Sequence, residues 1–170
     1  MGQGIRGFMT EFDSSLPKNV DFKKDKAMQA RPILYTVGTD LRSVEDFVEI
    51  IHAYEIRAVL DVRSYPKSKL AHFSRQPFSG LLETNGIEYH FLGKELGGLR
   101  KGGYTSYIIT EEFREGVRKV EAIAREKTSA LVCAERFPWK CHRKWISLEL
   151  QKQGWEIRHI IDKGKVWAPK

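Results

Sequence analysis

Five short apolar runs, each followed or preceded by an amphipathic segment, constrain this chain more than any other feature. Positions 33–37, 58–62, 87–92, 129–132 and 155–161 are rich in Ile, Val, Leu and Tyr and have the length of strands rather than helices. Between the first two, Ser43-Val44-Glu45-Asp46 has the pattern of a helix cap, with Val44, Phe47, Val48 and Ile51 on one face. A second helix is predicted near Pro77, with Phe78, Leu81 and Leu82 inward and a stop at Asn85-Gly86. Thr110 caps a third, with Phe113, Val117, Val120 and Ala124 inward. A fourth runs from about Cys141, with Trp145, Ile146 and Leu148, and ends before Gly154.

A helix placed between successive strands returns the chain to the edge it left, so the strands it joins run parallel. The expected fold is α/β: a single domain with a mostly parallel five-stranded sheet and helices on both faces, three-layered and Rossmann-like. Asp162-Lys163-Gly164-Lys165 reads as a turn that brings Val166-Trp167 back as a short edge piece.

At 170 residues, 41% apolar and 30% charged, the chain is long enough for one core. Residues 1–30 show no sustained period and contain Gly2, Gly4, Gly7, Ser14, Ser15 and Pro17, so an irregular N-terminal arm precedes an α/β domain at 31–170. No apolar run approaches the length of a membrane span, and the first thirty residues lack the apolar segment of a signal peptide. A cytoplasmic protein with reduced cysteines is expected, with no membrane partner. The formal charge is +7, of which +1 falls in residues 1–30 and +6 in the body. That excess favours an anionic small molecule or nucleic acid as partner, and it leaves the oligomeric state open.

In an open parallel sheet, ligands bind beyond the carboxyl ends of the strands. Those ends carry Thr36 and Gly38, then Asp61, Arg63 and Ser68, then Gly97 and Gly98, then Cys133 and Glu135. The stretch 131–143 holds the chain's two cysteines together with Glu135, His142 and Arg143. A cysteine at a helix start, as predicted for Cys141, meets unpaired backbone N–H groups that favour a thiolate. Asp61 follows three apolar residues, so its carboxylate needs a partner, and Arg63 is the natural one. The Gly-rich basic loop 93–104 reads as mobile and able to close over an anion, although it is neither a Walker loop nor a G-x-G-x-x-G turn. His90 and His159 read as core or edge histidines.

No metal and no cofactor are expected. The cysteines are not spaced C-x-x-C, and adjacent Cys141 and His142 would splay apart on a helix. A cysteine phosphatase would need an arginine six positions after its nucleophile, and six after Cys133 stands Trp139. The sulfurtransferase loop fails in the same way. The group that remains suits nucleophilic or redox work on an anionic substrate.

Thr36-Val37-Gly38, the run from Asp61 to Ser68, Leu96-Gly97-Gly98, Cys133-Ala134-Glu135 and Cys141-His142-Arg143 form an ordered motif set that resembles the domain-of-unknown-function family 488 over 33–161. The resemblance implies an α/β domain in a cytoplasmic protein and brings no activity with it. Members of that family carry a His and a Ser after the first motif's glycine, where this chain has Thr39 and Asp40. Chemistry that relies on a first-strand histidine therefore does not carry over.

The function expected from these residues is that of an enzyme, a cysteine-dependent transferase or hydrolase, acting on a phosphorylated or nucleotide-like substrate. Cys133 or Cys141 is the candidate nucleophile, with Glu135 and His142 as acid and base. Thr36, Gly38, Asp61, Arg63, Ser68, Gly97, Gly98 and Arg143 are the candidate binding residues. Two alternatives stand beside it. One is a noncatalytic nucleic-acid-binding module using the basic body and the exposed members of Trp139, Trp145 and Tyr104. The other is a reversible Cys133–Cys141 redox switch.

Overall fold

A computed structural model describes residues 30–169; the arm expected at 1–30 lies outside the described residues except for Ala30. In chain order the elements are β1 (Ile33–Gly38), α1 (Val44–Ala53), β2 (Ala58–Asp61), α2 (Arg75–Thr84), β3 (Glu88–Phe91), α3 (Gly93–Leu96), α4 (Tyr104–Tyr107), α5 (Glu111–Glu126), β4 (Ser129–Cys133), α6 (Arg143–Lys152), β5 (Glu156–Asp162) and β6 (Lys165–Trp167). The strands form one six-stranded sheet in the order β3-β2-β4-β1-β5-β6. β1 to β5 pair in parallel, and β6 is the antiparallel edge piece returned by the turn after Asp162. The chain is thus α/β, as its periodicity requires.

The local signals act as their chemistry predicts. Ser43 Oγ accepts the N–H of Asp46 at 3.0 Å and Thr110 Oγ1 that of Phe113 at 3.3 Å, each satisfying a donor that a helix start leaves open. Side chains alternate across the sheet, so each strand feeds two cores. Val59, Ala130 and Val132 pack with Phe47, Ile51, Phe78 and Leu82 from α1 and α2. Leu60, Val62 and Leu131 pack with Val117, Val120, Ile146 and Leu150 from α5 and α6. Each large side chain wholly removed from water here contributes about 1.5–3 kcal/mol.

Strand order places the crevice. From β1 the chain goes to β2, two places to one side, while from β4 it goes to β5, two places to the other. The helices leaving these adjacent strands lie on opposite faces of the sheet, which opens a gap beyond their carboxyl ends.

Two expectations change. The 93–104 loop contains the helical turns α3 and α4 and is tied to its surroundings: Arg100 donates to the carbonyls of Gly97 and Lys94, Tyr104 Oη–H to that of Leu96, and Leu99 N–H to Ser64 Oγ. Its arginine is engaged with backbone carbonyls rather than held ready for a ligand. The helix expected from Cys141 begins at Arg143, because a single 3-10 turn, Pro138–Lys140, leaves Cys141 in extended backbone (φ −134°, ψ 151°) before His142 caps the helix. Its inward residues are Arg143, Ile146, Ser147 and Leu150, and Leu148 faces out.

Candidate functional site

Beyond the carboxyl ends of β1, β2 and β4 lies a cleft of about 630 Å³ lined by Arg63, Ser68, Gly98, Cys133, Glu135, Cys141 and His142, among others. Its floor is built by continuing the β1–β4 pairing past the strands. Thr39 N–H donates to the carbonyl of Cys133 and Asp40 N–H to that of Ala134, both at 2.8 Å. Gly38 is required there, because a Cβ would run into the backbone of Glu135.

Two sulfurs and an imidazole nitrogen meet on the floor. His142 Nδ1 lies 3.8 Å from Cys133 Sγ and 3.7 Å from Cys141 Sγ, and all three atoms fall within 4.8 Å of one another. The expectation that Cys141 and His142 splay apart is therefore overturned. It assumed helical backbone at both, whereas Cys141 is extended and only His142 has turned towards the helix. The imidazole is fixed from behind: Nε2–H donates to the carbonyl of Val62 at 2.8 Å, which leaves the Nδ1 lone pair facing the sulfurs. The Tyr104 ring packs against it at 5.2 Å, and a Cβ on Gly98 would stand 2.5 Å from Nδ1.

Arg143 lies directly under this floor at 1% exposure. Its backbone N–H donates to Cys141 Sγ at 3.4 Å, its Nη1 to Thr36 Oγ1 at 3.3 Å, and its Nη2 to the carbonyls of Glu135 and Arg136. Among the described residues no carboxylate pairs with this guanidinium, whose charge acts on the sulfurs. The two sulfurs lie within 4.8 Å of each other. The neighbouring Cys133 thiol and the charge of Arg143 hold Cys141 well below the ordinary thiol range despite burial. Cys133, which keeps the proton and is buried, is pushed up. Thr36 Oγ1 also donates to His159 Nδ1 at 2.7 Å, and burial together with Arg143 lowers His159 to about 4, so the ring is neutral.

Not every candidate residue lines the cleft. Thr36, Asp61 and Arg143 are buried beneath it. Asp61 is fully enclosed and satisfied by Arg63 Nε at 2.8 Å, Arg63 Nη2 at 2.6 Å and Tyr89 Oη–H at 2.8 Å. Arg63 in turn donates to the carbonyl of Phe73 at 2.7 Å, so the pair props the β2 loop whose outer side forms one wall. Gly97 lets the next loop approach Ser64 closely, and Ser68 Oγ accepts the N–H of Leu70 at 3.1 Å. Burial, and then the Asp61 charge, push the Tyr89 hydroxyl up.

The sequence reading passed over Lys67, Lys69 and Lys140, which line the cleft. It also passed over Leu41, Tyr65 and Leu99 at the mouth, exposed by 83%, 73% and 73%. Lys67, Lys69 and Tyr65 had a usable signal, since they follow a parallel strand on its carboxyl side. Leu41 and Leu99 had none beyond lying in loops.

Fold and floor together define an α/β protein with two thiols and an imidazole gathered at the carboxyl edge of its sheet. The sequence pattern of one family, Domain of unknown function DUF488, matches residues 43–150, and the chain belongs to that family. The matched region includes Asp61, Arg63, Gly97, Gly98 and the whole segment from Cys133 to Arg143. No curated protein and no solved structure matches the chain. Among the described residues no helix is long and apolar enough to cross a membrane.

Proposed function

We propose that the protein is an enzyme acting on a phosphorylated, nucleotide-like substrate in this cleft, with the Cys133–Cys141–His142 floor as its reacting centre. One observation carries the reading: the same cleft has cations on its walls, exposed apolar and aromatic side chains at its mouth and sulfur with imidazole at its base. Lys67, Lys69 and Lys140 supply charge for a phosphate, and Tyr65 a flat face for a base. Glu135 stands on the wall beside Cys133 as a proton carrier for the reaction.

Calorimetry with a nucleoside monophosphate and the matching nucleoside tests the binding half. The phosphate ester is expected to bind and the nucleoside not, with Lys67→Ala weakening the interaction about tenfold, as for one lost charged contact. A panel of nucleotides and phosphorylated sugars, followed by mass spectrometry, tests the chemistry: wild type consumes one member and Cys141→Ser none. Equal affinity for nucleoside and nucleotide overturns the reading. Binding confined to single-stranded oligonucleotides, falling steeply with salt, transfers the protein to the nucleic-acid-binding class.

A further inference from the structure

We propose that Cys133 Sγ, Cys141 Sγ and His142 Nδ1 are a three-ligand site for a thiophilic divalent cation, Zn²⁺ foremost, with the fourth coordination position open to the cleft. This deepens the reading above, since the ion becomes the electrophile of the reacting centre.

Two of the three separations match those around a tetrahedral ion, and the third, between the sulfurs, is within 4.8 Å. With Zn–S near 2.3 Å and Zn–N near 2.0–2.1 Å, the edges of a tetrahedron between sulfur and nitrogen are about 3.6 Å. The two sulfur–nitrogen separations here are 3.7 and 3.8 Å. Two of the three ligands also have a supporting contact of the kind that orients metal ligands. His142 is locked by the Val62 carbonyl in the tautomer that presents Nδ1, and Cys141 Sγ receives the Arg143 N–H. Two sulfurs and an imidazole select Zn²⁺ over Mg²⁺ or Ca²⁺, which take oxygen.

The number of ligands says what such an ion does. A structural zinc site is closed by four protein ligands, whereas three with an open position are the arrangement of a catalytic one. All three residues line the cleft, so the open position faces the space assigned to substrate. Two thiolates neutralise the ion, and the buried Arg143 beneath leaves the centre with net positive charge, matched to a hydroxide or a phosphate oxygen as fourth ligand. Coordination releases to solvent whatever proton the sulfurs still hold and changes no oxidation state.

Titration of the reduced, chelator-treated full-length chain with Co²⁺, followed by absorbance, tests the site without any substrate. One equivalent is expected to produce a thiolate-to-cobalt charge-transfer band and the strong visible bands of tetrahedral coordination, and one equivalent of Zn²⁺ to bleach both. Cys133→Ser, Cys141→Ser and His142→Ala, checked for fold by circular dichroism, are each expected to lose the one-equivalent signal. Weak octahedral bands without charge transfer in the wild-type chain overturn the proposal, whether or not the variants fold. So does a charge-transfer band that survives Cys141→Ser. Calorimetry with a nucleoside monophosphate on the cobalt-loaded chain separates the two readings: a formed centre that ignores the nucleotide leaves the metal site standing and removes the substrate class.

Discussion

His142 donates its Nε2–H to the carbonyl oxygen of Val62 at 2.8 Å, across 80 positions of sequence. A side chain from the loop before α6 is thereby held by the end of β2, and its other nitrogen is pointed at two sulfurs, one on its chain neighbour Cys141 and one at the end of β4 on Cys133. The orientation of the imidazole is thus a property of the sheet's carboxyl edge and of the loop that carries Gly98.

Gly98→Ala tests that dependence. A methyl group 2.5 Å from Nδ1 has to displace the ring or the loop, since the ring's far side is fixed on Val62 and its face packs on Tyr104. The variant is expected to lose about 1–3 kcal/mol of stability in urea denaturation. It should also bind Co²⁺ some 10–100-fold more weakly, as when a supporting partner is removed from a metal ligand. Unchanged cobalt affinity would show that the ring is not held where the structure puts it.

Asp61→Asn tests the prop under the β2 loop. The carboxylate is wholly buried and accepts from Arg63 and Tyr89, so its neutralisation leaves a nearly buried guanidinium without a counter-charge. A loss of about 3–5 kcal/mol is expected from denaturant unfolding, against roughly 1 kcal/mol for Tyr89→Phe, which removes only a hydrogen bond. Similar costs for the two variants would contradict the ion pair.

Stability should respond to pH through His159. Its folded-state value is lowered from 6.5 to about 4 by burial and by Arg143. As pH falls, the unfolded chain therefore takes up this proton before the folded one does. The contribution of this group is present above pH 6.5 and is lost progressively as pH falls towards 4, by no more than about 3 kcal/mol. Denaturant unfolding of wild type and His159→Gln over this range measures it, and the wild type should show the steeper decline. Parallel curves would mean that His159 titrates normally.

Alkylation of the chelator-treated chain reads the charge on the sulfurs. Cys141 is held below the ordinary thiol range and Cys133 above it, so one cysteine should react at a rate nearly independent of pH through neutrality while the other stays unreactive. Arg143→Gln removes the cation and should move the reactive thiol's midpoint upwards. Two cysteines that both titrate near about 8.5 would show that neither is activated.

How far the molecule was legible from its residues differs between fold and site. Strand and helix positions follow from patterns a few residues long: the alternation around Val59 and Leu60, the Ser43 and Thr110 caps, and the stop at Asn85-Gly86 all act locally, and each stands where its chemistry places it. The edge that gathers Arg63, Cys133, Glu135 and His142 was legible too, because parallel strands have one carboxyl side and loops on that side face one another. The buried partnership of Asp61 with Arg63 was readable from the expense of leaving a carboxylate alone in a strand.

The sequence by itself therefore determined the α/β class, the direction of the strands and the edge on which the reactive residues meet, since hydrophobic periodicity and chain connectivity are short-range properties. Only the tertiary structure decided that Cys141 and His142 converge and that the 93–104 loop is tied down. It also decided that Arg143 lies beneath the sulfurs without a carboxylate. Those outcomes depend on the extended backbone at Cys141, on the Val62 carbonyl and on carbonyls such as those of Leu96 and Glu135. A backbone carbonyl is the same group at every residue, so no side-chain pattern announces which one a distant imidazole or guanidinium will reach.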